Sequence, residues 1–141
     1  MGQADSLRCL GDIDFLSNRT NRARKYYEQA LYLYRQVGSR LGQADTLDCL
    51  GEDEETLEHY QEARNAYTRS FSLYEQLEDL PGQAYVLRSL GDLEWKIDNN
   101  NEARTAYIKS QFLYQQQNDD RGQADVLASI ATLERDLVLS H

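Results

Sequence analysis

The sequence predicts an all-α protein built as a solenoid: three antiparallel helix pairs stacked side by side, followed by a seventh, single helix. Two observations carry this. Gly-Gln-Ala recurs at Gly2, Gly42, Gly82 and Gly122, a period of 40 residues, in the range of helical arrays whose units bury their apolar faces only against one another. Within each unit the apolar spacing is helical: Leu7, Leu10 and Ile13 follow i, i+3, i+6, while Ala23, Tyr27, Ala30, Leu31 and Tyr34 follow i, i+4, i+7, i+8, i+11. The composition agrees, because 141 residues with one proline, 40% hydrophobic and 28% charged suit a single helical domain with a shared core.

Taken in order, the first helix of each unit (helix A) is expected at about 3–17, 43–58, 83–98 and 123–139, and the second (helix B) at about 21–37, 61–77 and 101–117. The polar stretches Asn18-Arg19-Thr20-Asn21 and Asp98-Asn99-Asn100-Asn101 separate A from B, and their side-chain oxygens are expected to cap the following helix. Pro81, beside Gly82, stands where a helix can begin without losing a needed backbone donor. Tyr27, Tyr67 and Tyr107, with Tyr34, Tyr74 and Tyr114, form the inward stripe of helix B, each burying a ring while its hydroxyl reaches a polar edge. Tyr26, Tyr32 and Tyr60 are expected to be partly exposed. Cys9 and Cys49 share one slot of successive repeats, too far apart for the ~7 Å limit of a disulfide, so both are expected to be reduced and packed.

The repeat resembles the tetratricopeptide repeat over essentially the whole chain. Its pattern of Leu-Gly in helix A, Ala thirteen after that Leu, an aromatic four later and a small residue three beyond reads Leu10, Gly11, Ala23, Tyr27, Ala30; then Leu50, Gly51, Ala63, Tyr67, Ser70; then Leu90, Gly91, Ala103, Tyr107, Ser110. The resemblance implies a right-handed α-solenoid: one domain over 1–141, with repeats 2–41, 42–81 and 82–121 and a capping helix 122–141. In that last helix Ala131, Thr132 and Asp136 soften the outer side. The 40-residue variant is similar to arrays in bacterial and fungal signalling ATPases and in some polarity adaptors, and the chain has the look of a fragment of a longer array.

One departure from the family is systematic. Where its helix A carries an aromatic, this chain has Asp14, Glu54, Glu94 and Glu134, and the residue after the helix B alanine is always Arg24, Arg64 or Arg104. These predict a ladder in which each arginine fork meets a carboxylate of its own or the next repeat. Charge is otherwise uneven. Residues 2–41 carry 7 basic and 4 acidic side chains, whereas residues 42–81 carry 2 and 11, and the chain as a whole has a net charge of −9. Such a balance argues against nucleic acid or an anionic membrane as partner. Glu52-Asp53-Glu54-Glu55 reads either as a solvated helix face or as part of an acidic binding surface.

The family's helix A residues line a concave groove, so the resemblance implies a peptide-binding set of Arg8, Asp12, Phe15, Asp48, Glu52, Glu55, Tyr85, Arg88, Asp92 and Trp95, flanked by Asp5, Asp45, Asp125 and Arg135. An acidic middle with Phe15, Tyr85 and Trp95 suits a protein or peptide carrying Lys or Arg beside an apolar anchor. Trp95 is either the anchor of that surface or partial core. Chaperone-binding members clamp a carboxylate with Lys and Asn, whereas Asp12, Glu52 and Asp92 occupy the clamp Asn slots here, which argues against that specificity. No catalytic, cofactor or metal role is expected. His59 and His141 lie in no ligand spacing, Cys9 and Cys49 have no nearby His, and each glycine belongs to a repeat start, a Leu-Gly pair or the Gly38 turn.

The reading is therefore a non-catalytic protein-interaction scaffold. The alternative is a structural segment that self-associates through its terminal repeats, the basic first against the acidic second. No signal peptide and no apolar stretch of the ~20 residues needed to span a bilayer is present, which points to the cytoplasm. Asn18-Arg19-Thr20 is then a chance sequon.

Overall fold

The computed structural model describes residues 2–139; His141 lies outside the described residues. Seven helices follow in order: α1 (Gly2–Leu16), α2 (Thr20–Val37), α3 (Arg40–Thr56), α4 (Tyr60–Gln76), α5 (Leu80–Lys96), α6 (Asn100–Gln116) and α7 (Asp120–Leu139). The all-α expectation holds, and among the described residues no helix is long and apolar enough to cross a membrane.

Each helix A after the first begins two residues ahead of the Gly-Gln-Ala glycine, with its capping residue three ahead. Ser39 and Asp79 are N-caps whose side chains accept from the Gly42 and Gly82 amides at 3.0 and 2.9 Å, and Asp119 does the same for Gly122 at 2.9 Å. Pro81 then falls in the first turn of α5, as expected. The expectation that the polar A–B turns cap helix B is corrected. Residues Arg19, His59 and Asn99 hold those N-cap positions without a side-chain capping bond.

Those turns instead close the preceding helix. Asn18, Glu58 and Asp98 have φ of 62°, 64° and 65°, and in the turns from helix B to the next helix A Gly38 and Asn118 have 73° and 56°. The amide of each left-handed residue, and that of the next residue, returns to the last helical carbonyls, as with Glu58 to Glu55 at 3.0 Å and His59 to Glu54 at 2.8 Å. A β-carbon in this conformation costs about 1–2 kcal/mol. Glu58→Gly is therefore expected to stabilise the protein by about 0.5–1 kcal/mol, part of the gain being lost to the freer unfolded chain. A thermal melt checks it, and a lower Tm would refute the conformational argument.

The chain forms two compact units, Met1–Leu77 and Glu78–His141. In the first, Ala23, Tyr27 and Leu31 of α2 pack with Leu47 and Leu50 of α3 and Ala66 of α4. In the second, Ala84 of α5 packs with Ala103, Tyr107 and Tyr114 of α6 and Val126 and Leu133 of α7. The tyrosine rings explain the glycines. Tyr27 and Tyr67 lie flat against α1 and α3 at Gly11 and Gly51, and Tyr107 lies against α5 at Gly91, where a β-carbon would stand 2.5–2.6 Å from the ring. Ser70 Oγ and Ser110 Oγ donate to the carbonyls of Ala44 and Ala84 at 2.7 Å, tying helix B to its own helix A.

Three expectations about the core are corrected. Leu10 and Ile13 are 43% and 57% exposed, whereas Leu50 at the Leu10 register is 8% exposed. The helix α2 covers Leu50, and among the described residues no helix covers that side of α1. Cys9 is exposed for the same reason, while Cys49 packs against the first core, and neither is in a disulfide. Asp53 belongs to no solvated face: it is fully buried, at the register of Leu93 and Leu133.

Candidate functional site

The first unit brings the predicted groove residues of α1 and α3 onto one surface. Helical spacing places Arg8, Asp12 and Phe15 along α1 and Asp45, Asp48, Glu52 and Glu55 along α3. Arg8 Nη1 meets Asp45 Oδ2 at 3.6 Å across the two helices. Phe15 is half-buried and turns inward, packing on the core around Ala23 and Leu50.

Most of the acids along this surface hold tyrosine hydroxyls that emerge from beneath it. Tyr27 Oη donates to Asp12 at 2.6 Å and Tyr67 Oη to Glu55 at 3.0 Å, while Tyr34 and Tyr74 donate to Asp5 and Asp45. Burial and these carboxylates push the tyrosine hydroxyls upward, Tyr34 to about 12 and Tyr27 and Tyr67 further. The sequence suggested that each hydroxyl reaches a polar edge, but not that the groove acids are that edge. A signal was the 40-residue register that Asp5 and Tyr34 share with Asp45 and Tyr74, and Asp12 and Tyr27 with Asp92 and Tyr107; Glu55 falls outside it.

Asp48 is different. Its Oδ1 is buried and accepts no hydrogen bond. Burial first, then the charges of Glu52 and Asp45, push its carboxyl up to about 8. Burial first, then Asp12, also raises the Cys49 thiol, whose sulfur lies 3.8 Å from Asp12 Oδ1, so it is a poor nucleophile.

The second unit places Tyr85, Arg88, Asp92 and Trp95 on α5. Tyr85 is 46% exposed, Arg88 faces Asp125 of α7 at 3.8 Å, and Asp92 receives the Tyr107 hydroxyl. Trp95 combines both readings offered for it: half-buried against the second core, it also lines a recess of about 330 Å³ with Asp136, Leu137 and Leu139. Arg135 is exposed.

The ladder forms within each unit. Arg24 Nη1 meets Glu54 Oε1 at 3.6 Å and Arg104 Nε meets Glu134 Oε1 at 2.6 Å, each across to the next repeat. Asp14 is buried and takes Arg19 at 3.4 Å and Arg22 at 3.5 Å instead. The same acid slot also receives the residue five positions on, His59 Nδ1 lying 3.3 Å from Glu54 and Asn99 Nδ2 donating to Glu94 at 3.0 Å. The rung arginines are about one-third exposed, so the ladder fixes register more than it adds stability.

The tetratricopeptide-repeat family model matches residues 2–76. No curated protein matches the chain by sequence. Among solved structures, the apo form of RapI is similar over 96% of this chain and 50% of its own, with a TM-score of 0.88 at 11% identity. BtubC of P. vanneervenii is similar over 95% and 64%, with a TM-score of 0.69 at 14% identity. The Rap conjugation regulator of plasmid pLS20, solved with the Phr* peptide, is similar over 89% and 35%, with a TM-score of 0.79 at 12% identity. The chain thus spans between 35% and 64% of these proteins' lengths, and at such identities the likeness is one of fold. Its repeat register, its paired helices and the family match over more than half its length make the chain a member of the tetratricopeptide-repeat family.

Proposed function

We propose that the chain is a non-catalytic, cytoplasmic protein-interaction scaffold that binds a basic peptide or partner helix along its A-helix surface, with 1–141 working as one domain. The observation that carries this reading is Asp48: a desolvated carboxylate without a hydrogen bond at Oδ1, between Asp45 and Glu52, is a charge arrangement that a ligand Lys or Arg would relieve. Asp12 and Glu55 extend the negative surface and Arg8 bounds it, while in the second unit Tyr85 and Trp95, beside Arg88 and Asp92, present an aromatic surface of their own. The pLS20 regulator's complex with a peptide supports the fold's capacity for such a ligand.

The test is calorimetric titration with the acetylated, amidated peptide Phe-Lys-Leu-Arg. Affinity is expected to rise as pH increases from 6 to 9, because Asp48 must be ionised to pair with a cation. Asp48→Asn/Glu52→Gln is expected to weaken binding roughly tenfold, about 1.4 kcal/mol. Equal binding by the double variant, or no binding by the native chain, overturns the reading. The alternative, a self-associating structural segment, is favoured by the exposed Leu10, Ile13 and Leu16 of α1; a mass that grows with protein concentration would support it.

A further inference from the structure

A second surface in the first unit has a different chemistry. Helices α2, α3 and α4 enclose a cleft of about 510 Å³, within the roughly 300–1,000 Å³ range of ligand pockets. Its floor is aliphatic: Leu31, Leu47, Leu50 and Ala66 line it and are each less than 10% exposed.

Charge along the rim is unevenly compensated. At one end Arg24 is neutralised by Glu28 at 3.7 Å and Glu54 at 3.6 Å, and Glu62 stands nearby. Toward the other end Arg35 and Arg69 line the cleft, and among the described residues neither is ion-paired or hydrogen-bonded through its side chain. Burial, and then the charge of Arg35, hold the Arg69 guanidinium below its ordinary range. The repeat itself does not require this like-charge pair, because at the register of Arg35 the second repeat carries Glu75. Two uncompensated guanidinium groups beside an apolar floor, in a chain of net charge −9, form a local site of the opposite sign.

We propose that this cleft binds a peptide segment carrying a glutamate or aspartate next to aliphatic side chains, its carboxylate held between Arg35 and Arg69 and its aliphatic groups laid on Leu31, Leu47, Leu50 and Ala66. A carboxylate fits better than a phosphate. A guanidinium fork takes either, but Glu28, Glu54 and Glu62 line the same cleft and oppose a dianion more strongly than a single negative charge. This ligand is opposite in charge to the one proposed for the A-helix surface, so the chain would engage an acidic and a basic segment at separate places.

The probe is the acetylated, amidated peptide Leu-Leu-Ala-Glu, set against its Leu-Leu-Ala-Gln counterpart, with binding followed through the Nε–Hε resonances of Arg35 and Arg69 in isotope-labelled protein. The Glu peptide is expected to shift both signals saturably and to bind roughly tenfold tighter than the Gln peptide, a comparison that needs no variant. Arg35→Gln/Arg69→Gln, which removes repulsion and is expected to melt no lower than the native chain, should make the two peptides equal. Equal affinities on the native protein, no saturable shift, or a Glu preference that survives in the double variant overturns the proposal. Two other outcomes also overturn it: signals that move on dilution alone identify a second copy as occupant, and saturation by inorganic phosphate at lower concentration than by the Glu peptide identifies a phosphate site. Asp48→Asn should leave the Glu peptide's affinity unchanged, which separates this cleft from the A-helix surface.

Discussion

Asp53→Leu is expected to stabilise the protein by about 2–3 kcal/mol at pH 8 and to remove much of its pH dependence. Asp53 is fully buried on α3, and neither carboxylate oxygen has a hydrogen-bond partner. Burial first and the adjacent Glu54 second push its carboxyl up to about 7, against the relief given by Arg24 and His59. Below about pH 4 folded and unfolded chains both hold this proton, and Asp53 contributes no slope. Between about 4 and 7 the unfolded chain releases it while the folded chain keeps it, so stability falls as pH rises. Above 7 the folded state carries a buried anion and the full penalty applies. Asp48, raised to about 8, adds a slope of the same sign. The native chain should therefore melt highest near pH 5 and several degrees lower at pH 8. Leucine is the residue that the third repeat and α7 place at this register, as Leu93 and Leu133, both fully buried. Its extra volume costs part of the gain, so the variant should be nearly neutral at pH 5 and clearly stabilised at pH 8. Asp53→Asn should flatten the same slope without the gain in packing. If the Tm of the native chain and that of the Asp53→Leu variant change in parallel from pH 5 to 8, the assignment is refuted.

The misreading of Asp53 shows what a repeat makes legible and what it hides. Position in the register was informative: Ala23, Ala63 and Ala103, with Tyr27, Tyr67 and Tyr107, are buried where the period places them, because every copy must fill the same space between helices. The ladder was legible for the same reason, and Arg24–Glu54 and Arg104–Glu134 form in the expected register. Asp53 was read by its neighbours instead, as one of four consecutive acids, although its register partners Ile13, Leu93 and Leu133 are aliphatic. The starts of α3, α5 and α7 lie three residues ahead of their expected places, inside the roughly 2–4-residue spread of a pattern-based boundary, because the capping residues Ser39, Asp79 and Asp119 precede the conspicuous Gly-Gln-Ala and are not one residue type in every copy. The left-handed turn residues vary still more, from Gly38 through Asn18 to Glu58, because a strong flanking helix pair can impose a conformation that the local residue does not prefer. At the A-helix surface the acids were identified, but their attachment to tyrosine hydroxyls was not, since a hydrogen bond across helices leaves no local pattern.

Those tyrosines also set a large destabilisation expected from a single methyl group. Gly51→Ala is expected to cost about 2–3 kcal/mol, a fall in Tm of roughly 10 °C, although alanine in a helix interior is intrinsically favoured over glycine by about 1 kcal/mol. The added β-carbon would stand 2.5 Å from Tyr67 Cε1 and 2.6 Å from Cδ1. The ring has no easy retreat: it is 1% exposed, and its hydroxyl is anchored on Glu55 at 3.0 Å. Either α3 and α4 separate, opening the core around Leu47 and Ala66, or the hydroxyl loses its acceptor and remains buried beside several carboxylates. Gly2→Ala supplies the contrast, because nothing lies within 4 Å of its β-carbon and the same substitution should be neutral or slightly stabilising there. The clash is isolated by pairing the substitution with Tyr67→Leu: if the ring is the obstacle, Gly51→Ala should cost at least 1 kcal/mol less in the Tyr67→Leu background than in the native one. Additive losses would place the cost elsewhere, and the Leu-Gly pair of helix A would then need a cause other than a helix B tyrosine that requires a bare backbone beneath its ring.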